Sequence, residues 1–182
     1  MNGKKALIVG LVALNVLTLF LSRPKATVLN TLRYRAAMRS IHREHYDAAR
    51  VEFEKIAQTD PLDHRALRNL GQIAHIKGDL VTATEYFARA SHLGDPKALD
   101  SLVGLYLQGT NYTEVALLLP LLRKQARKNP RIAEKLVAFS VATSNQGLWI
   151  ELKSDYAKQM YFADDYTSNL LETAEQYFSE KR

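Results

Sequence analysis

The sequence predicts an all-α chain: a single transmembrane helix at the N-terminus, then an α-solenoid of about three helix pairs closed by C-terminal capping helices. Three observations lead there. Residues 6–21 carry no charge and are almost wholly apolar. From residue 27 onward Ala, Leu, Glu, Lys and Arg dominate, apolar residues recur at helical spacing, and strand-like alternation is absent. The chain also repeats itself at a spacing of 34 residues, a period too long for a single helix and right for a helix pair.

Composition removes several classes. The chain has 182 residues, enough for one ordinary domain and a short appendage. With 47% hydrophobic residues, 8 Gly and 5 Pro, it is neither collagen-like nor wholly disordered. Its cysteine count of 0 excludes a disulfide framework, an iron–sulfur cluster, a thiolate zinc site and a cysteine nucleophile. The formal net charge is +6.

The N-terminal tail is residues 1–5, and the anchor is residues 6–22. Ala6 to Leu21 contains only Asn15 and Thr18 as polar groups. As a helix this run spans about 24 Å, a little short of the roughly 30 Å hydrocarbon core. Ser22 extends it, and Lys4, Lys5, Arg23 and Lys25 can snorkel to the headgroups. Pro24 then stops or kinks the helix. A cleaved signal peptide needs small residues before the cut, and the exit Leu-Ser-Arg-Pro-Lys-Ala, with two cations and a proline, suits cleavage poorly. Counting Lys and Arg near each end favours a cytoplasmic body. The short two-lysine tail fits a signal-anchor with an exported body, and that is the side expected here.

A neck, residues 23–29, leads to the repeats at residues 30–130. A shift of 34 places Tyr46 on Leu80, Ala49 on Ala83, Phe53 on Phe87 and Glu44 on Gly78. Pro130 lies 34 residues after Pro96. The approximate copies are 30–61, 64–96 and 97–130. In the central one, Leu67, Leu70 and Gly71 lie on a first helix, Gly78 and Asp79 at a turn, and Ala83, Phe87 and Ala90 on a second. Gly71 and Ala83, twelve apart, are small where two helices of a hairpin would cross closely. Ala37 with Ala49, and Gly104 with Ala116, repeat that spacing. Pro120 is expected to kink or shorten the second helix of the third copy.

These residues make His64 to Pro96 resemble a tetratricopeptide repeat, and the whole chain resembles membrane-anchored tetratricopeptide proteins of bacterial-envelope type. The resemblance implies a bacterial inner-membrane location. It also implies that a partner protein binds the groove formed by the first helix of each repeat. The residues it would place there are Tyr34, Arg35, Met38, Arg65, Arg68, Asn69, Gln72, His75, Leu102 and Tyr106. Arg68 and Asn69 resemble the family's carboxylate clamp, which is incomplete because the third copy supplies no cation.

Residues 131–182 are expected to form capping helices, broken at Ser144-Asn145-Gln146-Gly147. They are dense in aromatics: Trp149, Tyr156, Tyr161, Phe162, Tyr166, Tyr177 and Phe178.

Catalytic chemistry has no visible carrier. His42 and His45 are three apart, not the four that places two metal ligands on one helical face. No nucleophile elbow, phosphate-binding glycine loop or dinucleotide fingerprint occurs. No cofactor, metal or enzymatic activity is expected. The cations form no single stripe, so nucleic acid is not the expected partner; a second basic group (Arg123, Lys124, Arg127, Lys128, Arg131 and Lys135) suits a solvated face, headgroups or an acidic partner. The expectation is a non-catalytic scaffold, accessory subunit or assembly factor for a membrane complex. A chaperone-like receptor for peptides near a translocation machine is the alternative. Self-association through the apolar run Val115 to Leu122 is compatible with both.

Overall fold

A computed structural model describes residues 27–158 and 165–180. The expected tail, the anchor at residues 6–22 and the first part of the neck lie outside the described residues. Among the described residues every regular element is an α-helix. The helices are α1 (residues 27–42), α2 (Tyr46–Thr59), α3 (His64–Ile76), α4 (Leu80–His92), α5 (Pro96–Gln108), α6 (Tyr112–Ala126), α7 (Pro130–Ala142), α8 (Gln146–Lys158) and α9 (Asp165–Glu180). None of these is long and apolar enough to cross a membrane.

One turn recurs five times: once between α4 and α5, at Gly94 (φ 88°) with the Asp95 N–H donating to the Ala90 carbonyl at 3.1 Å, and four times within a helix pair. Within the pairs, the residue at its left-handed position is Glu44 (φ 60°), Gly78 (φ 80°), Thr110 (φ 54°) and Ser144 (φ 53°). The next residue donates its backbone N–H to a carbonyl five residues back: His45 to Ser40, Asp79 to Ala74, Asn111 to Tyr106 and Asn145 to Ser140, at 2.8 to 3.0 Å. Such a bond satisfies a carbonyl that the helix end leaves without a partner. Helices then restart on side-chain caps. Asp63, Asp79, Asp95, Asn129 and Asn145 each accept from a backbone N–H in the first turn that follows. Pro96 and Pro130 occupy a first-turn position, where the missing N–H costs nothing.

The turn positions correct the repeat count and one register. About three pairs were expected, with everything after residue 130 as capping helices. The same turn at Ser144 makes α7–α8 a fourth hairpin, which leaves α9 as the terminal helix. That hairpin is hard to see in sequence because Ser144 replaces the turn glycine and Trp149 replaces the small residue of the second helix. The second correction is a deletion. The turns at residues 44, 78, 110 and 144 are spaced 34, 32 and 34 apart, and the caps Asp63, Asp95 and Asn129 are 32 and 34 apart, so the second copy is two residues short. The shortening lies between the Gly78 turn and α5: α4 has 13 residues against 14 in α2 and 15 in α6, and only Leu93, Gly94 and Asp95 join it to α5. In register with Gly71 and Ala83 are therefore Val103 and Val115, both fully buried, rather than Gly104 and Ala116. Ala116 is exposed.

Packing follows from this register. Phe53 and Phe87, equivalent residues of α2 and α4, fill successive inter-helix cores. Gly71 accepts the Phe87 ring so closely that a Cβ there would sit 2.8 Å from two ring carbons. One core unites α1, α2 and α3 around Ala37, Phe53 and Ile73. A second unites α3, α4 and α5 around Leu67, Phe87 and Leu102. The third and largest joins α5 to α9 around Val103, Leu122, Leu136, Trp149 and Phe178. α6 runs its full 15 residues through Pro120, so the expected shortening does not occur. Pro120 and Ala116 are both exposed, which leaves the carbonyl that loses its donor on the water side of the helix. Of the C-terminal aromatics, Trp149, Tyr177 and Phe178 pack into the third core. The side chains of Tyr156, Tyr161, Phe162 and Tyr166 lie outside the described residues.

Candidate functional site

The first helices of the pairs share one face, and two clefts open on it. The first, of about 640 Å³, lies between α1 and the start of α3. Asn30, Thr31, Tyr34 and Arg35 line it from α1, Thr59, Asp60 and Asp63 from the connection, and Arg65 from α3. Tyr34 is its fixed element. The ring packs edge-on against the buried Phe53 at 5.4 Å, and its hydroxyl accepts from Asn69 Nδ2 at 3.1 Å. Arg65 lies over the Tyr34 ring, 5.6 Å from the centroid, and its Nε is 3.5 Å from Asp63. Arg35 is exposed at the rim.

A second cleft, of about 380 Å³, spans α3, α5 and α7. Gln72, His75 and Ile76 come from α3, Asp100, Ser101, Gly104, Leu105 and Gln108 from α5, and Lys135 from α7. Gly104 forms part of the floor, and the Lys135 stem lies across it, 3.4 Å from where a Cβ would stand. The Lys135 ammonium reaches on to pair with Asp100. Arg65, Gln72 and Ile76 recur along one stripe of α3, so that helix connects the two clefts.

The expected groove residues divide into three groups. Tyr34, Arg35, Arg65, Gln72 and His75 line the clefts, and Asn69 is buried beneath them, where it positions Tyr34 and donates to the Arg65 carbonyl at 2.7 Å. Met38 packs against the first core. Arg68 turns to Asp95, the N-cap of α5, and pairs with it at 2.6 Å. His64 Nδ1 meets the same carboxylate oxygen at 2.7 Å. Burial opposes the charge on Asp95, but the His64 hydrogen bond, the Ala98 N–H and the Arg68 charge outweigh it and hold the pKa below the ordinary carboxylate value. A guanidinium so engaged is not an open clamp for a ligand carboxylate.

Leu102 and Tyr106 sit elsewhere. Leu102 is buried in the second core, and Tyr106 is half-buried between the second and third cores. Burial, then the charge of Glu114, raises the Tyr106 pKa. The two-residue deletion explains the displacement. A 34-residue shift from Arg68 and Gln72 points to Leu102 and Tyr106, whereas the true 32-residue shift points to Asp100 and Gly104. Those two, with Ser101, Gln108 and Lys135, are the cleft residues that sequence periodicity misses. The turn position at Thr110 is the signal that could have found them, had its left-handed conformation been visible in a β-branched residue.

Part of the second basic group is also engaged within the fold, because Arg123 pairs with Glu151 at 2.7 Å and Lys135 with Asp100. Among the described residues, no three His, Asp or Glu side chains come together in a way that could hold a metal ion.

No family model matches the sequence, and no curated protein matches it. What the face can do is therefore argued from its own chemistry. It offers amides, hydroxyls, an aromatic ring and cations along two clefts that α3 lines in common; of the cleft carboxylates, Asp63 and Asp100 are engaged by a cation, and Asp60 accepts from the Leu62 N–H. Such groups are donors and acceptors of the kind that can hydrogen-bond to an extended polar segment.

Proposed function

We propose that the chain is a non-catalytic scaffold of tetratricopeptide type, anchored in a membrane by residues 6–22, that holds a segment of a membrane-associated partner protein. The observation that carries this reading is the pair of clefts connected along α3, with Arg35, Tyr34 and Arg65 at one end and Gln72, His75, Gln108 and Lys135 at the other. The repeated hairpin and the resemblance of His64 to Pro96 to a tetratricopeptide repeat support it. Anchoring confines the clefts to a membrane surface, where the effective concentration of a membrane-bound partner is high. A bacterial inner membrane, with the helical body on the exported side, is the setting that fits the short two-lysine tail.

The test is purification of the intact chain in mild detergent, with native mass determination of whatever accompanies it. A fixed set of membrane proteins in constant ratio is expected. The double variant Arg35→Glu with Arg65→Glu should lose that set at unchanged helicity. Arg68 is a poor choice for this variant, because its replacement would strand the buried Asp95. Retention of every companion by the double variant would remove the first cleft from the binding site.

A further inference from the structure

The face of α1 that points away from the repeats is divided. Val28, Leu29 and Leu32, near its start, are 62%, 45% and 55% exposed. At 100° per residue, Val28 and Leu32 share one stripe with Arg35 and Arg39 further along, both exposed. The opposite side of the same helix, at Ala37, Tyr34 and Ile41, packs into the first core. An exposed apolar start followed along the same stripe by cations suits a helix that leaves the bilayer obliquely, with its apolar side chains in the boundary and its cations at headgroup level.

Charge placement points the same way. Residues 1–43 hold 8 of the 25 cations and none of the 19 acidic residues. The rest of the chain then has 17 cations against 19 acids and is slightly acidic. All of the protein's net positive charge lies in and around its N-terminal run and α1. A basic segment beside a bilayer is drawn to anionic lipid. Chain length bounds the reach: five residues separate residue 22 from Val28, so the start of α1 stays within roughly 20 Å of the end of the anchor.

We propose that α1 is a membrane-surface helix: Val28, Leu29 and Leu32 enter the headgroup boundary of an anionic bilayer, and Arg39 contacts its phosphates. This rests on residues 6–22 being the anchor, and does not depend on any partner protein. It makes the first repeat the attachment of the solenoid to the bilayer, so that the repeats are held at a set orientation instead of swinging on a loose neck.

The absence of cysteine gives a clean experiment, since one introduced thiol is the only labelling site. Single variants Val28→Cys, Leu32→Cys, Val81→Cys and Leu14→Cys of the full chain would carry an environment-sensitive fluorophore. Each would be reconstituted in vesicles of phosphatidylcholine with phosphatidylglycerol, and in vesicles of phosphatidylcholine alone. Val81 is 73% exposed on α4 and serves as the aqueous reference. Expected is quenching by a lipid-borne quencher at positions 28 and 32 that is about twofold or more above position 81. That quenching should decline when phosphatidylglycerol is omitted, or when Arg39 is changed to Gln. If position 14 is quenched but positions 28 and 32 match position 81, the anchor stands and this inference falls. If position 14 is not quenched either, the anchor reading falls with it. Shielding of position 32 from a water-borne quencher without lipid quenching would mean that protein covers α1, which also overturns the proposal.

Discussion

Arg68 and Asp95 are paired at 2.6 Å across the boundary between α3 and α5, and Asp95 is only 1% exposed. The same carboxylate caps α5 through the N–H groups of Lys97 and Ala98. One side chain therefore starts a helix and fixes that helix against its neighbour. Asp95→Asn keeps a cap acceptor but leaves the largely buried Arg68 charge without its counter-ion. Removing one member of a buried pair is costly, and Arg68 retains some access to water, so a loss of about 2 kcal/mol in urea unfolding at neutral pH is expected. A loss below a few tenths would mean that water screens the pair.

The acid limb of stability should show the same residue. The Asp95 pKa is depressed in the fold, against 3.8 as the ordinary value. Its contribution is complete above the unfolded-chain value and disappears as the pH falls through the lower folded one. Wild type should therefore lose stability more steeply below pH ~4 than Asp95→Asn, and the two should converge under strong acid. Asp47 and Asp79 are also depressed, by hydrogen bonds from Lys77 and Thr82, so the variant flattens the limb without abolishing it. Parallel curves for the two proteins would contradict this account.

The left-handed turn positions make a graded series. Thr110 is β-branched at φ 54°, a conformation that crowds its side chain against the backbone. Thr110→Gly should raise stability by about 1 kcal/mol, after subtraction of the extra freedom glycine gives the unfolded chain. Glu44→Gly and Ser144→Gly should gain less, because neither is branched. Gly78→Ala, at φ 80°, should lose about 1 kcal/mol, although nothing lies within 4 Å of the added methyl. Thermal denaturation of the four variants ranks them, and a Thr110→Gly protein no more stable than wild type would refute the order.

Much of this architecture is legible in sequence, and the failures have definite causes. Ala49 and Ala83, or Phe53 and Phe87, announce the hairpin because close helix crossing admits few residue types. Gly104 with Ala116 satisfies the same twelve-residue spacing as Val103 with Val115, so spacing alone selects the smaller pair. Only burial separates them. Within the clefts, Tyr34 and Arg65 are readable from periodicity up to the deletion before α5, and every position beyond it is shifted by two. The Arg68 pairing is invisible for another reason: its partner is 27 residues away and acts first as a local helix cap.

Gly71→Ala sets helix propensity against packing. Alanine would gain about 1 kcal/mol of intrinsic helix preference in α3. Its methyl would press on the Phe87 ring at 2.8 Å, closer than side-chain carbons pack, so the ring must shift. Overpacking costs of about 1–3 kcal/mol should win, so the variant is less stable than wild type. Adding Phe87→Leu removes the ring and should make Gly71→Ala neutral or favourable in the double-mutant cycle. Additivity of the two changes would show that they do not meet.

Trp149 reports on the terminal helix. It is the chain's only tryptophan, and its ring stacks on Phe178 of α9 at 5.8 Å with 13° between the planes. Both residues are buried, and Tyr177 meets Phe178 edge-on at 5.1 Å. A solenoid exposes the apolar side of its last pair unless a helix covers it, and α9 is that helix here. Phe178→Ala should remove about 3 kcal/mol of this contact and shift Trp149 emission to the red as water reaches the indole. Lys153→Ala, which removes an exposed ion pair to Glu175, should change stability by less than about 0.5 kcal/mol and leave the emission where it is. Under urea, the red shift in wild type should precede the loss of helicity, because α9 covers one end of the stack and the hairpins cover each other. Coincident transitions would mean that α9 unfolds with the repeats as one unit, and an unshifted Phe178→Ala spectrum would mean that the indole is shielded by α7 alone.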